Sequence, residues 1–271
     1  MLRYRLRQLQ HRAERLIRNP GATPHPNPLL VVGNQKSGTS AIAALLGKAT
    51  EQPVLVDLFY RFGPRSLPYL RGEKPLDELL ARSPHYLSRP IWKEPEFVLF
   101  GPELDRLFPD SPRVFIVRDP YANTRSILDR LGLGGDVEQV PADLAAKMRR
   151  QLPLWDPVLR GPRDGWVGES VVDTLALRWA NAARQYLDAP DRYRLVRYED
   201  FRKAKRETIE SLAADLGLEV TTDITADVDR PFQKPGRPKP AAEFFGAANL
   251  DRLHTRCGEL LDAFGYEPVI P

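Results

Sequence analysis

Short aliphatic runs alternate with longer amphipathic segments along most of the chain. The runs that predict strands begin at Leu29, Pro53, Pro90, Arg113 and Tyr193. Apolar residues at helical spacing predict helices over residues 1–18, 39–46, 76–82, 96–107, 121–128, 141–151, 173–187, 202–216 and 248–264. A strand of consecutive aliphatic residues is typical of a sheet that is buried on both faces. The pattern therefore predicts an α/β protein.

The first strand leads into the most informative stretch of the sequence, residues 29–46. Its polar turn has a glycine at each end, Gly33 and Gly38, and an apolar helix follows. A strand, a glycine turn and a helix in this order point backbone N–H groups and the positive end of the helix dipole at one spot. The stretch therefore predicts a cradle for a phosphate-type anion. The alternative is an ordinary tight turn that happens to contain a lysine.

The position of the lysine distinguishes this loop from that of the nucleotide triphosphatases. Their pattern is G-x-x-x-x-G-K-[ST], whereas here Thr39 follows Gly38 and the lysine is Lys36, inside the loop. The letters K-S-G-T-S resemble the 5′-phosphosulfate loop of sulfotransferases that use 3′-phosphoadenosine-5′-phosphosulfate (PAPS). This resemblance implies that the donor is bound by Lys36, Ser37, Gly38, Thr39 and Ser40.

A second informative block begins with the strand Arg113–Val117. The strand runs into Arg118-Asp119-Pro120, and the helix that follows contains Ser126. A guanidinium and a hydroxyl can converge there on one phosphate, although Arg118 could instead form a structural ion pair with Asp119.

The R-D-P letters strengthen the resemblance. Sulfotransferases carry R-D-P with a serine eight residues after the arginine, the spacing of Arg118 and Ser126, and the two residues bind the 3′-phosphate of the donor. The chain thus resembles a bacterial-type PAPS-dependent sulfotransferase. The resemblance implies a three-layer α/β/α sandwich with a central parallel sheet, similar to that of P-loop NTPases.

Two further segments match the family less fully. The letters V-R-Y-E-D resemble a family motif whose tyrosine lies against the adenine, a role that Tyr198 would inherit. A basic segment of the family closes on the 3′-phosphate, and its loose match here implicates Lys234 and Arg237. Prolines interrupt that match, and a charged surface loop is the alternative interpretation.

The resemblance implies transfer of a sulfuryl group from PAPS to a hydroxyl, or less readily an amine, of a small-molecule, lipid or carbohydrate acceptor. Lys36 would neutralise the departing phosphate, and Lys93 could stabilise the sulfuryl oxygens. Many family members use a histidine as general base before the R-D-P block, but this chain has Lys93-Glu94-Pro95 there. We therefore expect Glu94 to be the base. The other candidates, in order, are Glu96, Asp57 and His85. No metal-ligand spacing is seen, and no metal is expected.

The predicted domain organisation is simple. Residues 1–28 form a basic helix and a linker, and residues 29–271 form a single sulfotransferase domain in which 131–170 is an acceptor-side lid. We expect the helix over 1–18 to be packed or solvated. Peripheral contact with an acidic membrane surface is the less favoured alternative, because Glu14 and a modest apolar stripe weaken it.

The composition of the chain limits the kinds of ligand and the compartment that can be expected for the protein. The 271 residues carry a net charge of +4, a mild excess that suits a polyanionic small ligand better than nucleic acid. The single cysteine, Cys257, and the lack of a secretory signal or a membrane-length apolar run predict a cytoplasmic protein. Two alternatives to the sulfotransferase remain: a P-loop kinase or nucleotide hydrolase, and a nucleotide-binding module without catalysis.

Overall fold

Five strands form one fully parallel sheet within residues 2–228 and 240–270, the part of the chain that the computed structural model describes. The strands are β1 (Leu29–Val32), β2 (Val54–Val56), β3 (Ile91–Lys93), β4 (Arg113–Val117) and β5 (Arg194–Arg197). Their order across the sheet is β2-β3-β1-β4-β5, so that β1 lies in the centre between β3 and β4. Lys234 and Arg237 lie outside the described residues.

Both faces of the sheet are covered, as the aliphatic strands predict. Leu30 and Val32 of β1 belong to one hydrophobic core, and Leu29 and Val31 belong to the other. This alternation follows from the two-residue period of a strand, which sends successive side chains to opposite faces. Every residue of β1 and β4 is buried.

The helices form the two outer layers. They are α1 (Leu2–Arg18), α2 (Thr39–Ala49), α3 (Leu58–Phe62), α4 (Leu67–Leu70), α5 (Leu76–Ala81), α6 (Pro84–Leu87), α7 (Gly101–Leu107), α8 (Pro120–Leu131), α9 (Ala142–Gln151), α10 (Trp155–Arg160), α11 (Val171–Leu187), α12 (Tyr198–Lys203), α13 (Lys205–Asp215), α14 (Thr225–Val228) and α15 (Ala241–Cys257). Helices α2 and α13 cover one face of the sheet, and α8, α11 and α15 cover the other. The predicted three-layer sandwich is confirmed.

Several predicted helix boundaries are wrong. The segment predicted as one helix over 96–107 is a 3₁₀ helix, Pro95–Leu99, followed by α7. Phe100 separates them, with φ −125° and ψ 27°, outside the α-helical region. Pro102 contributes to the break, since a proline has no N–H to donate to the carbonyl group four residues earlier in a continuous helix.

The predicted final helix ends too late. Helix α15 is interrupted at Gly246, whose φ of 68° and ψ of 171° are not helical, and it ends at Cys257, after which two 3₁₀ turns follow. The predicted helix over 202–216 is divided into α12 and α13 at Ala204, whose φ and ψ are −140° and 68°. None of the helices in the described ranges combines the length and the hydrophobicity that crossing a membrane requires.

The packing of α2 against the sheet leads to a test of stability. Ile42 is fully buried in this layer, so Ile42→Ala should lower the free energy of unfolding by ~2–5 kcal/mol. Urea unfolding followed by circular dichroism measures this loss. The matched change Ile17→Ala, at a side chain that is 76% exposed, should stay within about 0.5 kcal/mol of wild type. Equal losses in the two variants would contradict the assignment of Ile42 to the core.

Candidate active site

A cleft of about 1000 Å³ lies where the carboxyl ends of the parallel strands meet. The loops after β1, β3 and β4 and the start of α12 all contribute to its wall. The sequence-predicted residues that line it are Lys36, Gly38, Thr39, Ser40, Asp57, Lys93, Glu94, Glu96, Arg118, Ser126 and Tyr198. Lys36 and Arg118, predicted for opposite ends of one ligand, therefore share one cavity.

The two glycines of the loop after β1 are needed for close approach. Gly33 has φ +145°, and a Cβ there would lie 2.3 Å from the carbonyl oxygen of Ile116. Gly38 has φ +90°, and its Cβ would lie 2.4 Å from the Tyr198 ring. Neither position has room for a side chain, so the loop backbone packs directly against β4 and Tyr198. The loop leads into the N-terminus of α2, where backbone N–H groups are available to an anion.

Lys36 has a left-handed backbone, with φ 68°, which is uncommon for a residue that is not glycine. Its carbonyl oxygen accepts a hydrogen bond from Arg118 Nη1 at 2.9 Å. Burial lowers the pKa of Lys36 to about 8, and the charges of Arg130 and Arg118 add to the shift. A lysine among other cations suits a bound polyanion, which would favour the charged form.

Arg118 and Tyr198 both line the cleft and contact each other. The Arg118 guanidinium lies 4.7 Å from the centre of the Tyr198 ring, a cation–π contact. Trp179 Nε1 donates to the Arg118 carbonyl oxygen at 2.8 Å and fixes the backbone at the end of β4. Asp119 accepts from the Ala122 N–H at 2.7 Å and caps α8, which begins at Pro120.

The acidic side of the cleft contains two neighbouring glutamates. Glu94 accepts from the backbone N–H groups of Phe59, at 3.0 Å, and Glu96, at 3.1 Å. Burial raises the pKa of Glu94 to about 8, and the negative charges of Asp57 and Glu96 add to the rise. Lys93 Nζ lies 2.5 Å from Asp57 Oδ1, so that the lysine charge is directed mainly at Asp57. In the described ranges, no three His, Cys, Asp or Glu side chains are grouped as a metal site would require.

A buried polar network behind the cleft was not predicted from the sequence. Arg178 of α11 donates to Asn34 Oδ1 at 3.0 Å and to Gln35 Oε1 at 2.8 Å, and its Nη2 pairs with Glu96 Oε2 at 2.9 Å. Gln35 in turn donates to Glu96 Oε1 at 2.7 Å. The network ties the loop after β1 to the turn after β3. Its sequence signal is a charged residue flanked by apolar ones, Leu177 and Trp179.

Asn123 anchors the same loop from α8. Its Nδ2 is 2.9 Å from the Gln35 carbonyl oxygen and 3.0 Å from Ser37 Oγ, and its Oδ1 accepts from Asn34 at 2.9 Å. The Ser37 side chain is thus buried behind the loop and does not line the cleft. His85 also lies away from the cleft, with Nε2 3.4 Å from Glu14 of α1.

The wall of the cleft also contains apolar residues that were not singled out in the sequence. Tyr60, Leu154, Trp155, Val158 and Phe245 form part of its wall. Three of them come from residues 131–170, the predicted lid. Helices α9 and α10 of that segment bury Met148 and Leu159 in the main core.

The fold of this chain is also found among the solved structures of known proteins. No family model matches the sequence, and no curated protein matches it. The structure is similar to that of sulfotransferase STF9 from Mycobacterium avium, with a TM-score of 0.63 over 97% of this chain and 82% of that one, at 13% identity. This chain has a sulfotransferase fold.

Two other solved structures superpose less closely. Sulfotransferase STF1 from Mycobacterium tuberculosis H37Rv has a TM-score of 0.49 at 13% identity, over 93% of this chain and 81% of that one. Mouse sulfotransferase SULT7A1, complexed with PAP, has a TM-score of 0.45 at 15% identity, over 89% and 85% of the two chains. At 13% identity the likeness to STF9 extends to the fold alone, and the chemistry has to be argued from the site of this chain.

The contact between Gly38 and Tyr198 can be tested by a single methyl group. Gly38→Ala should lower the free energy of unfolding because the new Cβ would collide with the ring. The matched change Gly132→Ala, at φ +73° with nothing within 4 Å, reproduces the backbone strain without the collision. We expect Gly38→Ala to lose ~1–3 kcal/mol more than Gly132→Ala in urea unfolding. Equal losses would mean that Tyr198 moves away freely.

Proposed function

We propose that this protein transfers a sulfuryl group from PAPS to a hydroxyl group of a small-molecule, lipid or carbohydrate acceptor. The observation that carries the proposal is the shared cleft. An amide-lined loop with Lys36 lies at one part of its wall, and Arg118, Ser126 and Tyr198 lie at another. Two cationic side chains and an aromatic ring that line one cavity suit a nucleotide, which carries phosphates and an adenine ring.

The residues of the cleft fit such a donor. The loop amides and Lys36 would hold the 5′-phosphosulfate, Arg118 and Ser126 the 3′-phosphate, and Tyr198 the adenine. The position of the loop supports the first assignment, since Lys36, Gly38, Thr39 and Ser40 line the cleft where the N-terminus of α2 begins. Arg118 supports the second, because a guanidinium binds phosphate oxygens in a bidentate manner.

The transfer forms one bond and breaks one bond. The acceptor oxygen forms a bond to sulfur, the bond between sulfur and the bridging oxygen breaks, and its electron pair remains on the 5′-phosphate. Lys36 and the loop amides would neutralise that growing charge. The proton of the acceptor hydroxyl would pass to Glu94. The apolar wall with Tyr60 and Trp155 suits the body of the acceptor.

Glu94 is the best candidate for the base because of its surroundings. A pKa raised to about 8 makes its carboxylate a stronger proton acceptor than an ordinary glutamate. The competing candidates are already engaged, Asp57 with Lys93 and Glu96 with Arg178.

The function itself is tested with sulfur-labelled PAPS. The full chain is incubated with the donor and a panel of phenols, aliphatic alcohols, sugars and lipids, without added metal, and labelled products are separated. Transfer to any hydroxyl supports the proposal. Binding of 3′-phosphoadenosine-5′-phosphate (PAP) without transfer would favour a nucleotide-binding module. Binding of ATP that depends on Mg²⁺ would favour a kinase or hydrolase.

Arg118→Ala should weaken the binding of PAP by about 10–100-fold, because a charge-assisted contact to phosphate is lost. Calorimetric titration measures the Kd. The matched variant Arg149→Ala, at an exposed position on α9, should bind PAP like the wild type. Should Arg118→Ala leave the Kd unchanged, the assignment of Arg118 to the 3′-phosphate is wrong.

Glu94→Gln should cut turnover by ~10² or more while the Kd of PAP is retained. A base works only when deprotonated, so for wild type kcat/KM should rise with pH, by about tenfold per unit, up to the pKa of about 8. In Glu94→Gln this rise of kcat/KM with pH should disappear. Steady-state rates across pH measure both the loss of turnover and the loss of the pH dependence. Asp57→Asn is the control: if it removes the pH dependence and Glu94→Gln does not, Asp57 is the base.

A further inference from the structure

Helix α1 is attached to the domain through its polar face. Gln8 Nε2 donates to the Tyr60 carbonyl oxygen at 2.9 Å, and Arg15 Nη1 donates to the Arg61 carbonyl oxygen at 2.9 Å. The hydroxyl of Tyr86 donates to Glu14 at 2.9 Å. Gln8 and Arg15 lie seven residues, or about two turns, apart, and Glu14 is adjacent to Arg15, so the contacts hold one side of the helix against the protein.

The apolar stripe of α1 consequently faces away from the domain. Leu6, Leu9, Leu16 and Ile17 are 48%, 60%, 70% and 76% exposed, and Ala13 between them is exposed as well. Of the seven large hydrophobic side chains that are strongly exposed in the described ranges, these four lie on this one helix. The sequence led us to expect a packed or solvated helix, whereas the stripe is unpartnered within the described chain. A contiguous exposed apolar stripe usually marks an interaction surface.

The charges next to the stripe indicate what it contacts. At 100° per residue, the exposed Arg5 and Arg12 border the apolar stripe along one edge. Arg7 and Arg18 are exposed as well but lie toward the opposite side of the helix. Glu14 is the one acidic residue in the helix sequence, and its carboxylate is directed inward to Tyr86. The outward side of α1 is therefore apolar in the middle and cationic along one edge.

We propose that α1 is a docking surface for an anionic membrane, on which it lies in the plane of the interface. The leucines and the isoleucine would enter the boundary between headgroups and acyl chains, and the arginines would contact the acidic headgroups. A second copy of the chain fits this surface less well. Two such helices packed through their stripes would bring two rows of arginines together, and like charges repel.

The proposal is tested by flotation of the full chain with vesicles. Vesicles of phosphatidylcholine mixed with phosphatidylserine should carry the protein, whereas vesicles of phosphatidylcholine alone should carry much less, and added salt should release it. Leu16→Gln with Ile17→Gln should weaken partitioning at least about tenfold, as should Arg5→Gln with Arg12→Gln. Both pairs change exposed side chains, so circular dichroism and urea unfolding should match the wild type.

Two matched variants serve as controls. Val167→Gln changes an exposed apolar residue away from α1, and Arg149→Gln with Arg150→Gln removes two exposed charges from α9. Both should bind vesicles like the wild type. The proposal is overturned if the protein does not float with acidic vesicles, or if the controls lose binding as much as the α1 variants. Self-association that Leu16→Gln with Ile17→Gln abolishes, without vesicle binding, would assign the surface to a second copy. None of these results depends on PAPS.

Discussion

The cleft depends on one buried guanidinium. Arg178 is almost fully shielded from solvent, as is its partner Glu96, and the pair also holds the side chains of Asn34 and Gln35. A buried charge without its partner costs ~3–5 kcal/mol, so this arrangement is strongly determined once the core has formed. It joins the loop after the central strand to the turn after its neighbour. The network thereby fixes the position of the loop that contains Lys36 relative to the turn that contains Glu94 and Glu96.

The same network gives the two glutamates of one turn different partners. Burial raises the pKa of Glu96, and the attraction of Arg178 opposes that rise. Burial also raises the pKa of Glu94, whose carboxylate accepts from two backbone N–H groups instead. Two identical side chains in one turn are thus held by different groups. Their difference is set by helix α11, which is remote in sequence from both of them.

The features predicted correctly from the sequence are contiguous ones. The strands are aliphatic runs, and the loop with Lys36 and the block from Arg118 to Ser126 each place their groups by local geometry alone. Arg178 and Asn123 could not be assigned in this way, because their partners are up to 144 residues distant. The apolar wall of the cleft is likewise assembled from separate segments. The helix boundaries were wrong where one residue, such as Pro102 or Ala204, outweighs the periodicity around it.

The hydrogen bond from Trp179 to the carbonyl group of Arg118 gives the cleft a natural optical probe. Of the four tryptophans in the chain, Trp179 touches the backbone of the proposed phosphate-binding arginine, and Trp155 lines the apolar wall. Indole emission responds to polarity and to nearby charge. A ligand bound near either tryptophan is therefore expected to change the intrinsic fluorescence of the unlabelled protein. Replacing each tryptophan separately by phenylalanine would show how much of the change comes from each one.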